Sequence, residues 1–239
     1  MKLIKVDNDP EPLLINEKLS SVKLNNTSIW LFLSLLCSSI PKLAFAQTSA
    51  NIGLTSNYLW RGVSQSEKNI ALSAGLDFAN DAGFYIGTWS STLSRGKYEL
   101  DLYTGFKKEF ASLSYNIGII DYHYPNDSDY FDELYFTISK AGFSAGVAYT
   151  FNSKDNNSLA FSQGDIYYSL SYSTSLEQGV QISSTLGHYD FDNALADDYN
   201  HIKLAANKYG VTFAIDTTFS LAHNNDTTLS LAWMKTFKL

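Results

Sequence analysis

The sequence predicts an all-β fold, a transmembrane antiparallel β-barrel of about twelve strands. Three observations carry that prediction. Apolar residues alternate with small or polar ones at period two over most of the chain after Ala50. The non-apolar positions hold Ser, Gly, Thr, Ala, Asn and Tyr, with few Lys, Glu or Arg. The segments are joined by connections that are short and long by turns.

Successive side chains of a strand point to opposite faces, so the alternation sorts residues into two sets. The first segment puts Ile52, Leu54, Tyr58 and Trp60 on one face, and Asn51, Gly53, Thr55, Asn57 and Arg61 on the other. The second puts Ile70, Leu72, Leu76 and Phe78 against Ala71, Ser73, Gly75 and Asp77. Later segments repeat this: Leu100 and Leu102 against Glu99, Asp101 and Tyr103; Ile117 and Ile119 against Asn116 and Gly118; Phe213 and Ile215 against Ala214 and Asp216. The segment at residues 84–91 has aromatics on both faces and leaves the strand count open by two.

The small face separates two all-β architectures. A soluble sandwich shows one face to water and would carry many charges there. Small neutral residues suit the crowded interior of a narrow barrel, and an apolar face tipped with Tyr, Trp and Phe suits lipid. The chain holds 16 Tyr and 15 Phe. Short connections are expected at residues 80–83, 107–110, 140–142, 176–179 and 207–210. Longer ones are expected at 64–69, 91–97, 125–130, 152–164, 190–198 and 221–226. Such an asymmetry of turns and loops is usual in outer-membrane barrels, and an even strand number brings both ends to the periplasmic side.

Residues 1–46 read as a signal peptide and 47–239 as the barrel domain. The apolar run at 29–40 is too short for a membrane-spanning helix, which needs roughly 20 residues. It has the length of a signal-peptide core; Lys18 and Lys23 precede it and Ala44-Phe45-Ala46 offers a cleavage site. Asp7, Asp9, Glu11 and Glu17 dilute the positive charge before the core. Cys37 lies in this segment, so the mature chain has no thiol for a disulfide or a thiolate metal site. The net charge of -7 opposes nucleic-acid binding, which requires clustered Lys and Arg.

The stretch from Ser49 through Asn57-Tyr58-Leu59-Trp60-Arg61-Gly62-Val63-Ser64 to Gln65 resembles the opening motif of the TorF family of porins. Gly83-Phe84-Tyr85-Ile86-Gly87-Thr88-Trp89, Glu99-Leu100-Asp101-Leu102-Tyr103 and residues 119–125 are similar to the same family. The resemblance implies an outer-membrane barrel that acts as a porin, with no assigned substrate. The chain departs at its end, where Lys238 and Leu239 follow Phe237 instead of the usual terminal aromatic.

If the alternation holds, Arg61, Asp77, Glu99, Asp101, Glu133, Asp165, Lys203 and Asp216 point inward as candidate pore-lining residues. Charges on a wet pore wall set ion preference. Acidic groups outnumber basic ones here, so a mild cation preference is expected; the alternative is that they pair and fill the lumen. The stretch 121–133 reads as a loop gathering Asp127, Asp129 and Asp132, but its spacing is not that of an EF-hand and no metal site is assigned. A competing class is a barrel enzyme, a lipid hydrolase or protease, which needs a nucleophile beside a base. His123, His188, His201 and His223 each fall near a loop or strand end, where a girdle or loop role is expected. A non-conducting structural barrel is a third reading. No cofactor motif is present. The expected partners are outer-membrane lipids and small polar solutes or ions, and the oligomeric state is left open.

Overall fold

A computed structural model describes residues 47–127, 129–154, 161–220 and 225–239. The signal peptide assigned to residues 1–46, its Cys37, and His223 lie outside the described residues. The strands in order are β1 (Gln47–Thr55), β2 (Leu59–Trp60), β3 (Val63–Ser64), β4 (Ala71–Ala79), β5 (Phe84–Thr92), β6 (Tyr98–Phe110) and β7 (Leu113–Tyr124). Then come β8 (Asp129–Lys140), β9 (Phe143–Ser153), β10 (Ile166–Ser175), β11 (Gln181–Asp190), β12 (Tyr199–Lys208), β13 (Val211–Phe219) and β14 (Asp226–Lys238).

Leaving out β2 and β3, twelve strands form one closed antiparallel barrel. Each pairs with its chain neighbours, and β1 closes the ring by pairing with β14, Ser49 opposite Lys238 and Thr55 opposite Ala232. Closure leaves no strand edge with unpaired backbone amides. At one end the reversals are tight. Ala111 and Ser112 turn β6 into β7 with φ of 50° and 65°, the positive pair whose twist matches the flanking strands. The turn expected at 107–110 is therefore displaced: those residues belong to β6, and two residues suffice for the reversal. The other end carries the longer connections, and strand extends into two of them. Asp121 lies in β7, and Asp129, Asp132 and Glu133 lie in β8, so the acidic stretch 121–133 is mostly strand around a turn at 125–127. Asp127 pairs with Lys97 and Asp132 accepts from Asn152, so the three aspartates do not converge.

Burial is inverted relative to a water-soluble domain. Leu72 and Leu229 are each 58% exposed, and Ile52, Leu54, Ile86, Leu102, Ile119 and Leu204 are exposed with them. The buried set is instead largely polar and includes Glu99, Glu133, Asp165, His201 and Asp216. The strand interior is crowded. Gly105 faces Tyr85 across the β5–β6 pair, and a Cβ on Gly105 would meet the Tyr85 hydroxyl at 2.3 Å. Gly87 stands in the same relation to Tyr103, and Gly118 to Tyr135. These glycines are sockets that let tyrosine lie across the wall.

Candidate functional site

The alternation of the first segment breaks after Thr55. Tyr58 and Trp60 do not share the outward face of Ile52 and Leu54; the chain leaves the wall and folds into the lumen. Ser56 N–H donates to the Leu231 carbonyl at 2.8 Å, the last tie to the barrel sheet. Asn57, 4% exposed, then accepts from Ser64 Oγ at 2.6 Å, and Tyr58 N–H donates to Ser66 Oγ at 3.0 Å. Between these ties β2 and β3 form a miniature hairpin, Leu59 opposite Ser64 and Trp60 opposite Val63. Its two-residue turn is Arg61-Gly62, with φ of 48° and 85°, the conformation that joins such short antiparallel strands.

The turn is the part that reaches deepest among other side chains. Arg61 donates from both terminal nitrogens to Glu133 on β8, at 2.7 and 2.6 Å, in the fork geometry that makes guanidinium–carboxylate pairs strong. Its guanidinium also lies 4.2 Å from the ring centres of Trp60 and Tyr167. Burial opposes the charge on Arg61, but the Glu133 carboxylate more than offsets this and holds its pKa above the ordinary guanidinium value. Trp60 packs against Tyr122, Phe131, Phe161 and Tyr189, edge-on or tilted, at 5.4 to 6.1 Å. Tyr58 donates its hydroxyl to Glu99 at 2.8 Å; burial and that carboxylate push its pKa up, so it stays a neutral donor. Gly62 sits where no side chain fits, since a Cβ there would lie 2.7 Å from Thr218 and 2.8 Å from His201.

Of the other inward candidates, five lie at the hairpin's level, one nearer the short turns and one apart from both. Glu99, Asp101 and Glu133 are buried at the hairpin's level, as are Asp165 and Asp216. Asp165, just ahead of β10, accepts from the backbone N–H of Ser162 and of Asp192, each at 3.0 Å; burial raises its pKa against those bonds. Asp216 meets His201 Nδ1 at 3.2 Å, and His201 Nε2 meets the Tyr167 hydroxyl at 2.9 Å. This corrects the girdle role expected for His201, which is 3% exposed inside the barrel. A phenol occupies the place where a hydrolase of the serine type would present its nucleophile. His123 stacks on Tyr130 and His188 on Tyr168. Nearer the short turns, Asp77 accepts from Tyr103 at 2.5 Å, and Tyr85 bonds both Tyr135 and Asn116. Lys203 is the eighth candidate and stands apart from this network.

Beneath the hairpin the lumen is open on one side. Two adjoining cavities of about 440 and 490 Å³ share Lys203, Asn207 and Thr212 as wall. The first reaches up to Tyr58 and Leu59 of the hairpin, and the second runs down to Ser175 and Gln181 beside the short turns. The barrel thus has a filled half at the long-loop end and a half-open chamber at the short-turn end. Sequence reasoning placed Arg61 and Glu133 in the lumen without linking them; a run of buried-type residues around an Arg-Gly turn was the available signal.

Solved structures that share this fold include the KdgM porin in complex with disordered oligogalacturonate. It is 8% identical, with a TM-score of 0.51, over 80% of this chain and 99% of that one. A second KdgM porin structure is 8% identical with a TM-score of 0.50, over 77% of this chain and 98% of the other. A structure from a study of in-meso crystallization of membrane proteins reaches 0.56 at 12% identity, over 80% and 84%. At these identities the likeness is one of fold. A search of curated proteins finds no match. A family model described as "Bacterial protein of unknown function (Gcw_chp)" matches residues 44–231. The resemblance to the TorF family thus stays a likeness of the opening motif and the three shorter stretches, and the chain belongs to the Gcw_chp family.

Proposed function

We propose that the chain is exported through a signal peptide cleaved after Ala46, and that residues 47–239 span the bacterial outer membrane as a porin-like channel. It lets small polar solutes or ions diffuse passively. The observation that carries this reading is the inversion of the wall. Leucine and isoleucine face outward at alternate positions, while carboxylates, hydroxyls and an open polar chamber lie within. Exposed Phe84, Phe110, Phe143 and Tyr209 beside the short turns form one aromatic rim, and Tyr98, Tyr149 and Tyr168 nearer the long loops form the other. The KdgM likeness supports the same reading, one of those barrels having been solved with an oligogalacturonate.

Arg61, Asp77, Glu99, Asp101, Glu133, Asp165, Lys203 and Asp216 line the path or support the hairpin that narrows it. Their acidic excess gives the lumen a mild preference for cations. Solutes entering from outside meet the hairpin first and reach the chamber only past it. The test is single-channel recording of the purified protein in planar bilayers under a potassium chloride gradient. Stepwise conductance with a reversal potential favouring potassium is expected. A silent barrel would replace the channel with a structural role, and a chloride-selective one would remove the ion preference. Mass spectrometry of the membrane-bound form should find Gln47 at its N-terminus.

A further inference from the structure

We infer that the chamber beneath the hairpin binds a small hydroxylated carboxylate, with Lys203 as its anchor; this deepens the channel reading and rests on it. Lys203 lies on β12 directly opposite Asp216 on β13. That carboxylate would be its natural partner, but Asp216 is turned to His201. None of the ion pairs among the described residues includes Lys203. Every other inward-facing cation or carboxylate described above has a named partner, apart from Asp101. The ammonium of Lys203 borders both cavities and is the positive charge an entering anion would meet there.

The walls narrow the class of anion. Around Lys203 stand Asn207, Thr212, Ser183 and Gln181, neutral groups that both donate and accept and so match hydroxyls. A single cation suits a singly charged carboxylate, whereas a phosphate calls for several donors or charges. In the upper lobe Trp89 and Tyr58 meet edge to face at 5.3 Å and present carbon surface to the C–H face of a small ring. Each cavity falls within the size range of small-molecule sites. This local site does not conflict with a cation-preferring lumen, because ion preference follows the summed charge and the ligand follows the nearest one.

The probe is glucuronate, titrated calorimetrically into the detergent-solubilised protein, with glucose and hexanoate as controls. Glucuronate should bind, and each control should bind at least about tenfold more weakly, as loss of one charge-assisted contact predicts. Lys203→Met should weaken glucuronate about tenfold and Lys203→Arg should retain most of the affinity. If Lys203→Met does not fold, Thr212→Leu, which fills the shared wall, should abolish the binding. Equal affinity for glucuronate and glucose, an unaffected Lys203→Met, or no glucuronate heat overturns the site. Binding by a barrel that never conducts upholds the site and removes the channel reading. Conductance without glucuronate binding keeps the channel and removes the site.

Discussion

The two halves of the lumen are built by the same strands yet filled by different means. Toward the long loops the space is closed by a segment of the chain itself, Tyr58 to Ser64, pinned by one bidentate ion pair and a cage of aromatic rings. Toward the short turns no segment among the described residues is inserted. Tyrosines from the wall cover one side by lying over glycines, and the opposite side keeps Ser, Thr and Asn around an open chamber. Strand residues cannot reach the axis of a barrel this wide unless they are long and aromatic, so a barrel of this class is sealed by a loop or stays open. The hairpin is thus the removable part and the wall the permanent one.

The largest expected effect follows from removing the plug. Replacing residues 58–65 with a short Gly-Ser link should leave the twelve paired strands intact while raising single-channel conductance severalfold. An unchanged conductance would mean that the hairpin does not lie on the conducting path. Next in size is Arg61→Ala. It leaves Glu133, 1% exposed, without its partner, a loss of about 3–5 kcal/mol when a buried pair is broken from one side. The cost should appear as unseating of the hairpin, with frequent openings and a lower temperature for loss of folded gel mobility. Arg61→Lys keeps the charge but not the fork or the stacking, and should fall between the two. Gly62→Ala should cost about 1–3 kcal/mol by overpacking against Thr218 and His201, and should open the channel in the same direction.

The wall was legible in the sequence, and the plug was not, for a physical reason. Residues such as Leu72, Leu102 and Ile119 announce themselves because an apolar outer face and a crowded inner one impose a strict period of two. Tyr58 and Trp60 continue that period past Thr55, so local pattern alone extends the strand straight through them. What sends them inward is the Arg61-Gly62 turn and partners 41 to 129 positions away, Glu99, Glu133 and Tyr189, which no local window contains. The same holds for His201, whose position beside a strand end hid its bond to Asp216 on the next strand, 15 positions later. Asp77, Glu99, Asp101, Glu133, Lys203 and Asp216 sit on barrel strands where register is readable, whereas Arg61 lies on the hairpin turn and Asp165 ahead of β10; the contacts any of them make are tertiary facts.

The smallest expected effect sharpens the contrast from the permanent side. Tyr103→Phe removes the hydroxyl that Asp77 accepts at 2.5 Å. Asn51 Nδ2 also meets it, at 3.5 Å, and Asp77 is only half-buried. The loss should therefore be no more than about 1.5 kcal/mol, near the usual net value of one hydrogen bond. The ring remains in the socket opposite Gly87, so the wall keeps its shape and conductance should change little. A large rise in conductance from Tyr103→Phe would show that the tyrosine layer, and not the hairpin alone, limits passage. The two halves would then share one gate instead of dividing closure from support.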